Sequence, residues 1–411
     1  MTMKSFCWIA ATALALSACD LSVSNPGPIE DSQLDNVTAM PALVNGMSGD
    51  LSFALGRYIN RGALATGELS EAGLFIPETH YFQGSFVPQD VNADWGNMQT
   101  ARWTAESGLA RMKSVLGAAF ESNVNTPRAY LYGGFANRLL GENVCVAVID
   151  GGPALSDSVY FQRAESLFTR AYATATALNN TNIATAALGG RATVRAWQGN
   201  WTGAVADAAQ VPTAYVFNAI FSTNTARENL DIATQTITRS ESSVFGTVYA
   251  SNNKEPRATW DTVRTGTAVT RGANGTPVFR QTKYKTLAAP VALTKGVEML
   301  LLRAEAALRT GDAAGAMALI NQERATSSLP ALSATTTAAA WPILQSERGY
   351  VLWLEGRRLW DLRRWFVEGT NTFLQNRDKC LPPSADEQAS NPNLSRALVV
   401  PSLPLLTVTR W

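Results

Sequence analysis

Residues 344–365 read LQSERGYVLWLEGRRLWDLRRW, and the reading of this stretch decides the fold. Its apolar residues recur at helical spacing, which predicts one helix from about Trp341 to Trp365. Tyr350 to Leu354 is apolar on every side, so that turn is expected in the core. Glu355 stands three residues from Arg358, and Asp361 stands four from Arg357 and three from both Arg358 and Arg364. Those are neighbour spacings on a helix, and partly buried carboxylates need such partners. Gly356 in a helix interior costs about 1 kcal/mol relative to Ala and is tolerated where another backbone comes close. The charged cluster therefore reads as a device that holds the fold, not as a site.

Helical patterns extend outward from this stretch. Ala164, Phe168 and Ala171 fall on one face of a helix over 161–178. Ala184–Gln198 and Trp201–Ala209 form a second pair around Gly199-Asn200, and Leu293–Leu308 and Ala313–Arg324 a third around Gly311-Asp312. Gly199 precedes Ala204 by five residues, as Gly311 precedes Ala316. A glycine closing an inter-helix turn, followed by a small residue where the second helix presses on the first, is what a tetratricopeptide unit requires. Generic helical hairpins are the plainer alternative. Further helical runs cover Asn36–Tyr58, Trp95–Leu116 and Arg128–Leu140. Gly67–Asp94 reads as a long loop with Phe75, Tyr81, Phe82 and Phe86. Residues 236–286, rich in Thr, Ser and Val with a turn at Gly272–Gly275, read as a small irregular β insertion. The class is mainly α, with repeat hairpins wrapped by extra helices and loops.

The 411 residues are 46% hydrophobic and 16% charged, with a formal net charge of +1. A large core is affordable, and nothing in the charge suggests nucleic acid. Lys4, the apolar run Phe6–Leu16 and Leu16-Ser17-Ala18-Cys19 read as a lipoprotein leader over 1–18 with acylation, palmitate included, at Cys19. Asp20 leaves the choice between inner and outer membrane open. Residues 19–34, rich in Asp, Ser, Asn, Pro and Gly, read as a tether, and 35–411 as one domain. Cys145 and Cys380 are then the only thiols of the body, in an oxidising compartment, and are expected to pair; two separate buried thiols are the alternative. One histidine, His80, and two cysteines do not make a zinc site without several carboxylates, and no cofactor is expected.

The decisive stretch resembles the C-terminal motif of the SusD/RagB lipoproteins: Glu347-Arg348, Glu355-Gly356-Arg357-Arg358 and Asp361-Leu362-Arg363-Arg364-Trp365. Glu298–Ala306, Glu255-Pro256-Arg257, Lys283-Tyr284 and Asn25-Pro26 resemble further family segments, as do Cys380–Pro383 and Ser390–Leu394. Lys295, Pro383 and the tail 395–411 depart from the pattern.

The resemblance implies a surface-exposed, lipid-anchored outer-membrane protein that captures nutrient for a TonB-dependent, SusC-like transporter. An oligosaccharide is the first expectation for the ligand. An oligopeptide ligand, or a tetratricopeptide scaffold for partner proteins, is the alternative. The chain carries neither a G-x-S-x-G elbow nor a P-loop, and its best-patterned carboxylates have Arg partners, so catalysis is not expected. Candidate ligand contacts are the loop aromatics Tyr81, Phe82, Phe86 and Trp260, with Asn252 and Asn253 as hydrogen-bonding amides.

Overall fold

In a computed structural model, residues 31–223, 230–251 and 255–394 are described. The leader 1–18, Cys19, most of the tether, Asn252, Asn253 and the tail 395–411 lie outside the described residues.

The motif stretch is two helices, not one. Thr337–Val351 ends, Leu354 and Gly356 take left-handed φ values of 56° and 69°, and Arg358–Val367 begins. Gly356 is thus required by a left-handed backbone, in place of the helix-interior role expected for it. The break frees carbonyl groups that a helix would have used. Lys295 donates to the carbonyl of Val351, and Lys283 to that of Trp353 at 2.6 Å. The same two ammonium groups hold Glu355, at 2.7 and 2.8 Å. The Leu354 amide donates to the buried carboxylate of Glu68 at 2.8 Å. Of the helix-spaced pairs, Asp361–Arg364 forms at 2.8 Å. Arg357 instead reaches Glu142 at 2.7 Å and Glu298 at 3.2 Å, and Asp361 receives Arg348. The charges therefore tie distant elements together, where sequence spacing suggested one helix face.

The hairpins follow the repeat. Ser158–Ala177, Thr181–Trp197 and Trp201–Ala208 stack in order, and Gly296–Arg309, Ala313–Thr326 and Thr337–Val351 do the same. Gly199 (φ 81°) and Gly311 (φ 86°) make the turns, and the next residues cap the new helices: Asn200 accepts from the Gly203 amide at 2.9 Å and Asp312 from the Gly315 amide at 2.7 Å. Ala204 and Ala316 are fully buried, as are Ala164, Phe168 and Ala171. The third turn uses Asn179 (φ 55°) with Asn180 as cap. The first residues expected in helix after 290 are a strand: Val291–Lys295 pairs antiparallel with Val216–Ala219 before Gly296 opens the helix.

Long helices Met40–Ala65, Asn92–Leu116 and Thr126–Asn143 pack against the hairpins around a core that includes Met47, Tyr58, Trp95, Phe135, Phe168, Trp353 and Trp365. A smaller core under the last hairpins gathers Leu301, Leu308, Ile320 and Leu344. Cys145 and Cys380 are joined as a disulfide with Cα atoms 5.0 Å apart, beside the parallel bridge Val144–Leu381. Asn391-Pro392-Asn393 then latches on, Asn391 donating to the Gly152 carbonyl at 2.9 Å and Asn393 to the Gly151 carbonyl at 2.8 Å.

Candidate ligand-binding surface

The two stretches that read as irregular, 67–94 and 236–286, meet on one side of the molecule. Ser70 pairs with Ser243 and Glu71 with Ser242 in a short antiparallel ladder. The Ser70 hydroxyl donates to the Phe245 carbonyl at 2.7 Å, and the amides of Ala72 and Gly73 donate to the Glu241 carbonyl. From further along the insertion, the Asn274 side chain donates to the Glu71 carbonyl at 3.1 Å and its amide to the Ala72 carbonyl at 3.2 Å. The two stretches are thus one structural unit held by backbone hydrogen bonds.

This unit carries apolar side chains that water touches. Leu74, Phe75 and Ile76 are 70%, 53% and 66% exposed, in a row, where the helix Ile76–Gln83 begins. Adjacent exposed large apolar side chains mark an interaction surface more often than chance exposure does. Across the ladder, the exposed Phe245 meets Phe279 edge-on with centroids 5.2 Å apart. Phe279 in turn stacks on Trp260 at 4.5 Å with nearly parallel planes. Trp260, half-buried, donates its indole N–H to the Tyr249 carbonyl at 3.2 Å, so one face of its ring is covered and its polar edge engaged.

The remaining expected contacts divide. Phe82 is partly exposed, and its carbonyl accepts from Arg377, whose guanidinium lies 5.0 Å over the exposed Phe373 ring. Tyr81 is not available: it is fully buried, its hydroxyl donates to Asp94 at 2.6 Å, and Arg61 lies over its ring. Burial, then the charge of Asp94, raises its phenol well above the usual range. Phe86 packs on Tyr81 with centroids 5.2 Å apart and is buried as well. The expected loop here contains the helix Ile76–Gln83, and that helix turns Tyr81 inward and Phe82 outward. Asn252 and Asn253 lie outside the described residues. His80 is engaged by Asp90 at 2.5 Å. No group of three or more His, Cys, Asp or Glu among the described residues is placed to hold a metal ion.

Phe75, Phe245, Phe279 and Phe373 are additions that sequence reasoning did not select. Phe75 lies in the same stretch as Tyr81, Phe82 and Phe86, and its apolar neighbours Leu74 and Ile76 are the available signal. Phe245 and Phe279 are brought together only by strand pairing. A separate open cleft of about 410 Å³ lies on the hairpin Ser158–Trp197, lined by Gln162, Glu165, Ser166, Thr169, Arg170 and Gln198. It has no aromatic ring, and Glu165 is already held by Arg195 and Gln198. The aromatic surface is the better candidate, because ring faces can stack on flat apolar faces of a ligand.

Residues 169–394 match the sequence model of the SusD family. No curated protein matches the chain significantly. Among solved structures, a SusD superfamily protein from Bacteroides thetaiotaomicron is similar at 13% identity, covering 88% of this chain and 99% of that one with a TM-score of 0.65. Another from Bacteroides fragilis is similar at 14% identity, with 88% and 98% covered and a TM-score of 0.65. A SusD-like carbohydrate binding protein from Bacteroides vulgatus is similar at 14% identity, with 80% and 83% covered and a TM-score of 0.58. At these identities the likeness to each structure is one of fold.

Proposed function

Because the chain belongs to the SusD family, we propose that it is a nutrient-binding lipoprotein of the cell envelope, with an oligosaccharide as ligand, that passes its cargo to a TonB-dependent outer-membrane transporter of the SusC-like kind. Family membership carries this reading. The lipobox ending at Cys19 supports anchoring by lipid, and no helix among the described residues is long and apolar enough to cross a membrane. The exposed rings of Phe75 and Phe245 support a ligand with flat apolar faces, which pyranose rings have. A protein of similar fold from Bacteroides vulgatus carries the description carbohydrate binding, which favours sugar over peptide. The protein works by binding and releasing, not by bond cleavage.

The test is a binding screen of oligosaccharides and oligopeptides on the chain lacking residues 1–19, with detergent extraction of the full-length protein to recover its transporter. Saturable binding of a glycan, with the transporter in the extract, supports the proposal. Peptide binding alone moves the reading to an oligopeptide carrier. Partner proteins bound on the hairpins with neither ligand class would make the chain a scaffold.

A further inference from the structure

The insertion 236–286 carries eight Lys and Arg against three Asp and Glu, in a chain whose formal net charge is only +1. The stretch 67–94 that it pairs with carries five acids and no Lys or Arg. Most of these charges are settled inside the molecule. Arg257 holds Glu255 and reaches Glu323 and Glu347, and Lys283 holds Glu355. Arg61 holds Glu78 and Asp94, His80 engages Asp90, Glu68 is buried on the Leu354 amide, and Glu71 accepts from the Thr79 hydroxyl. Glu241 has Arg239 beside it, and Asp231 nearby has Arg57. Asp261 stands directly opposite Arg280 on the ladder.

Arg264, Arg271 and Lys285 are left over, all of them exposed. Neither arginine meets a carboxylate among the described residues. Each donates from Nη1 to a carbonyl of its own turn, Arg264 to Thr267 at 3.0 Å and Arg271 to Gly275 at 2.7 Å, and its other N–H groups are unused. Arginines comparably open elsewhere are paired: Arg57 with Asp231, Arg163 with Glu106, Arg170 with Glu121.

The ladder decides which way the two arginines face. Trp260 pairs with Gln281 and Thr262 with Phe279; then Val263, Val278 and Thr270 close a ring of backbone hydrogen bonds from which two turns branch. Arg264 pairs with Val269 in one turn and Arg271 with Pro277 in the other. Residues two apart on a strand share a face. Arg264 therefore follows Trp260 and Thr262 onto the face where Trp260 stacks on Phe279, and Arg271, opposite Pro277, falls on that face too. Val278, one residue over, is buried on the other side. Gly272, next to Arg271, lies so close to the Ala72 carbonyl that no Cβ would fit, which brings Arg271 to the seam with the exposed row Leu74–Ile76.

Given the glycan reading of this surface, we infer that its oligosaccharide is an acidic one, with carboxylate or sulfate groups held by Arg264 and Arg271 while its rings stack on the exposed aromatic side chains. A guanidinium with free N–H groups is a planar fork that matches such oxyanions two bonds at a time. An uncharged sugar would draw nothing from either charge.

The experiment titrates the chain lacking residues 1–19 with matched pairs: tetragalacturonate and its methyl ester, and a sulfated galactan tetrasaccharide and its desulfated form, beside neutral maltotetraose and cellotetraose. The acidic member is expected to bind more tightly in at least one pair, with affinity falling as sodium chloride rises. The pair that responds identifies the oxyanion as carboxylate or sulfate. Arg264→Gln and Arg271→Gln are each expected to weaken that binding by about threefold to tenfold and to flatten its salt dependence, with Arg271→Lys restoring part of it. Neutral glycans that bind as tightly as their acidic partners, or acidic binding that ignores both substitutions, would overturn the inference and leave the glycan reading standing. Binding of no glycan at all would sink that reading and the inference with it. Should a variant fold poorly, the matched pairs measured on the parent decide alone.

Discussion

Arg348 and Asp361 meet through two parallel hydrogen bonds, Nε to Oδ2 at 2.9 Å and Nη2 to Oδ1 at 3.0 Å, across the break between the helices Thr337–Val351 and Arg358–Val367. Both side chains are buried. Removing one partner strands the other charge in the core, at a cost of about 3–5 kcal/mol. Asp361→Ala is expected to lose that much in urea unfolding, and the double variant Arg348→Met with Asp361→Leu to recover much of it. A single variant within about 1 kcal/mol of the parent would show that solvent reaches the pair.

Acid stability follows from Glu305. Burial works to raise its carboxyl, but Arg364 above all, with Arg348 and Arg309, holds it down to about 2 against an ordinary 4.5. A folded-state value below the unfolded one contributes stability that is present above about pH 4.5 and is lost as pH falls toward 2. The shift corresponds to roughly 3 kcal/mol. Glu68 and Asp94, raised mainly by burial, act in the opposite sense, so the total curve mixes both signs. The measurement is therefore the difference between parent and Glu305→Gln. It is expected to be large at pH 6 and to shrink steadily between pH 4.5 and 2. A constant difference would contradict the depressed value.

The sequence made the hairpins readable because Gly199 and Gly311 punctuate them and Ala204 and Ala316 mark the tight contact, all local signals. Lys295 departs from the family pattern, and nothing local in the sequence signals its role at the broken helix: it holds a carbonyl and a carboxylate about 60 residues away. The break itself is not legible in the sequence because Tyr350–Leu354 is apolar enough to continue a helix, while the left-handed Leu354 is held by Glu68 from the far end of the chain. On the candidate surface, Phe82 fell on the exposed side and Tyr81 on the buried side of a helix that Gly67–Asp94 did not announce. Aromatic content locates such a surface; the face each ring takes depends on elements paired from elsewhere.

The disulfide offers a direct count. Denatured, unreduced protein lacking residues 1–19 is expected to show no free thiol, since Cys145 and Cys380 are paired. Their separation of 235 residues puts the loop among the long ones, for which chain-entropy estimates run to about 5 kcal/mol. Reduction should lower the melting temperature accordingly. Two titratable thiols before reduction would remove the cross-link from the account.

On the ligand surface, Phe75→Ala and Phe245→Ala are expected to weaken glycan binding severalfold to tenfold, since a stacked ring contributes about 0.5–1.5 kcal/mol beyond its area, with the melt unchanged for Phe75→Ala and slightly lowered for Phe245→Ala, which also loses its contact with Phe279. Tyr81→Phe is expected to do the reverse. It deletes a buried hydrogen bond to Asp94, worth about 1 kcal/mol of stability, and should leave affinity alone. Calorimetric titration beside thermal melts separates the two. Binding that follows Tyr81 and ignores Phe75 and Phe245 would move the site.

The reach of the contacts sets the order in which the molecule can be finished. Glu68 waits for the Leu354 amide, Glu142 for Arg357, and Gly151 and Gly152 for Asn393 and Asn391. A chain synthesised from its N-terminus makes its first helices long before those partners exist. Until the last fifth of the sequence emerges, Glu68 and Glu142 lack these partners and the faces around them stay open. The hairpins, built from neighbours, can form as they appear; the body closes only at the end, when the motif stretch arrives.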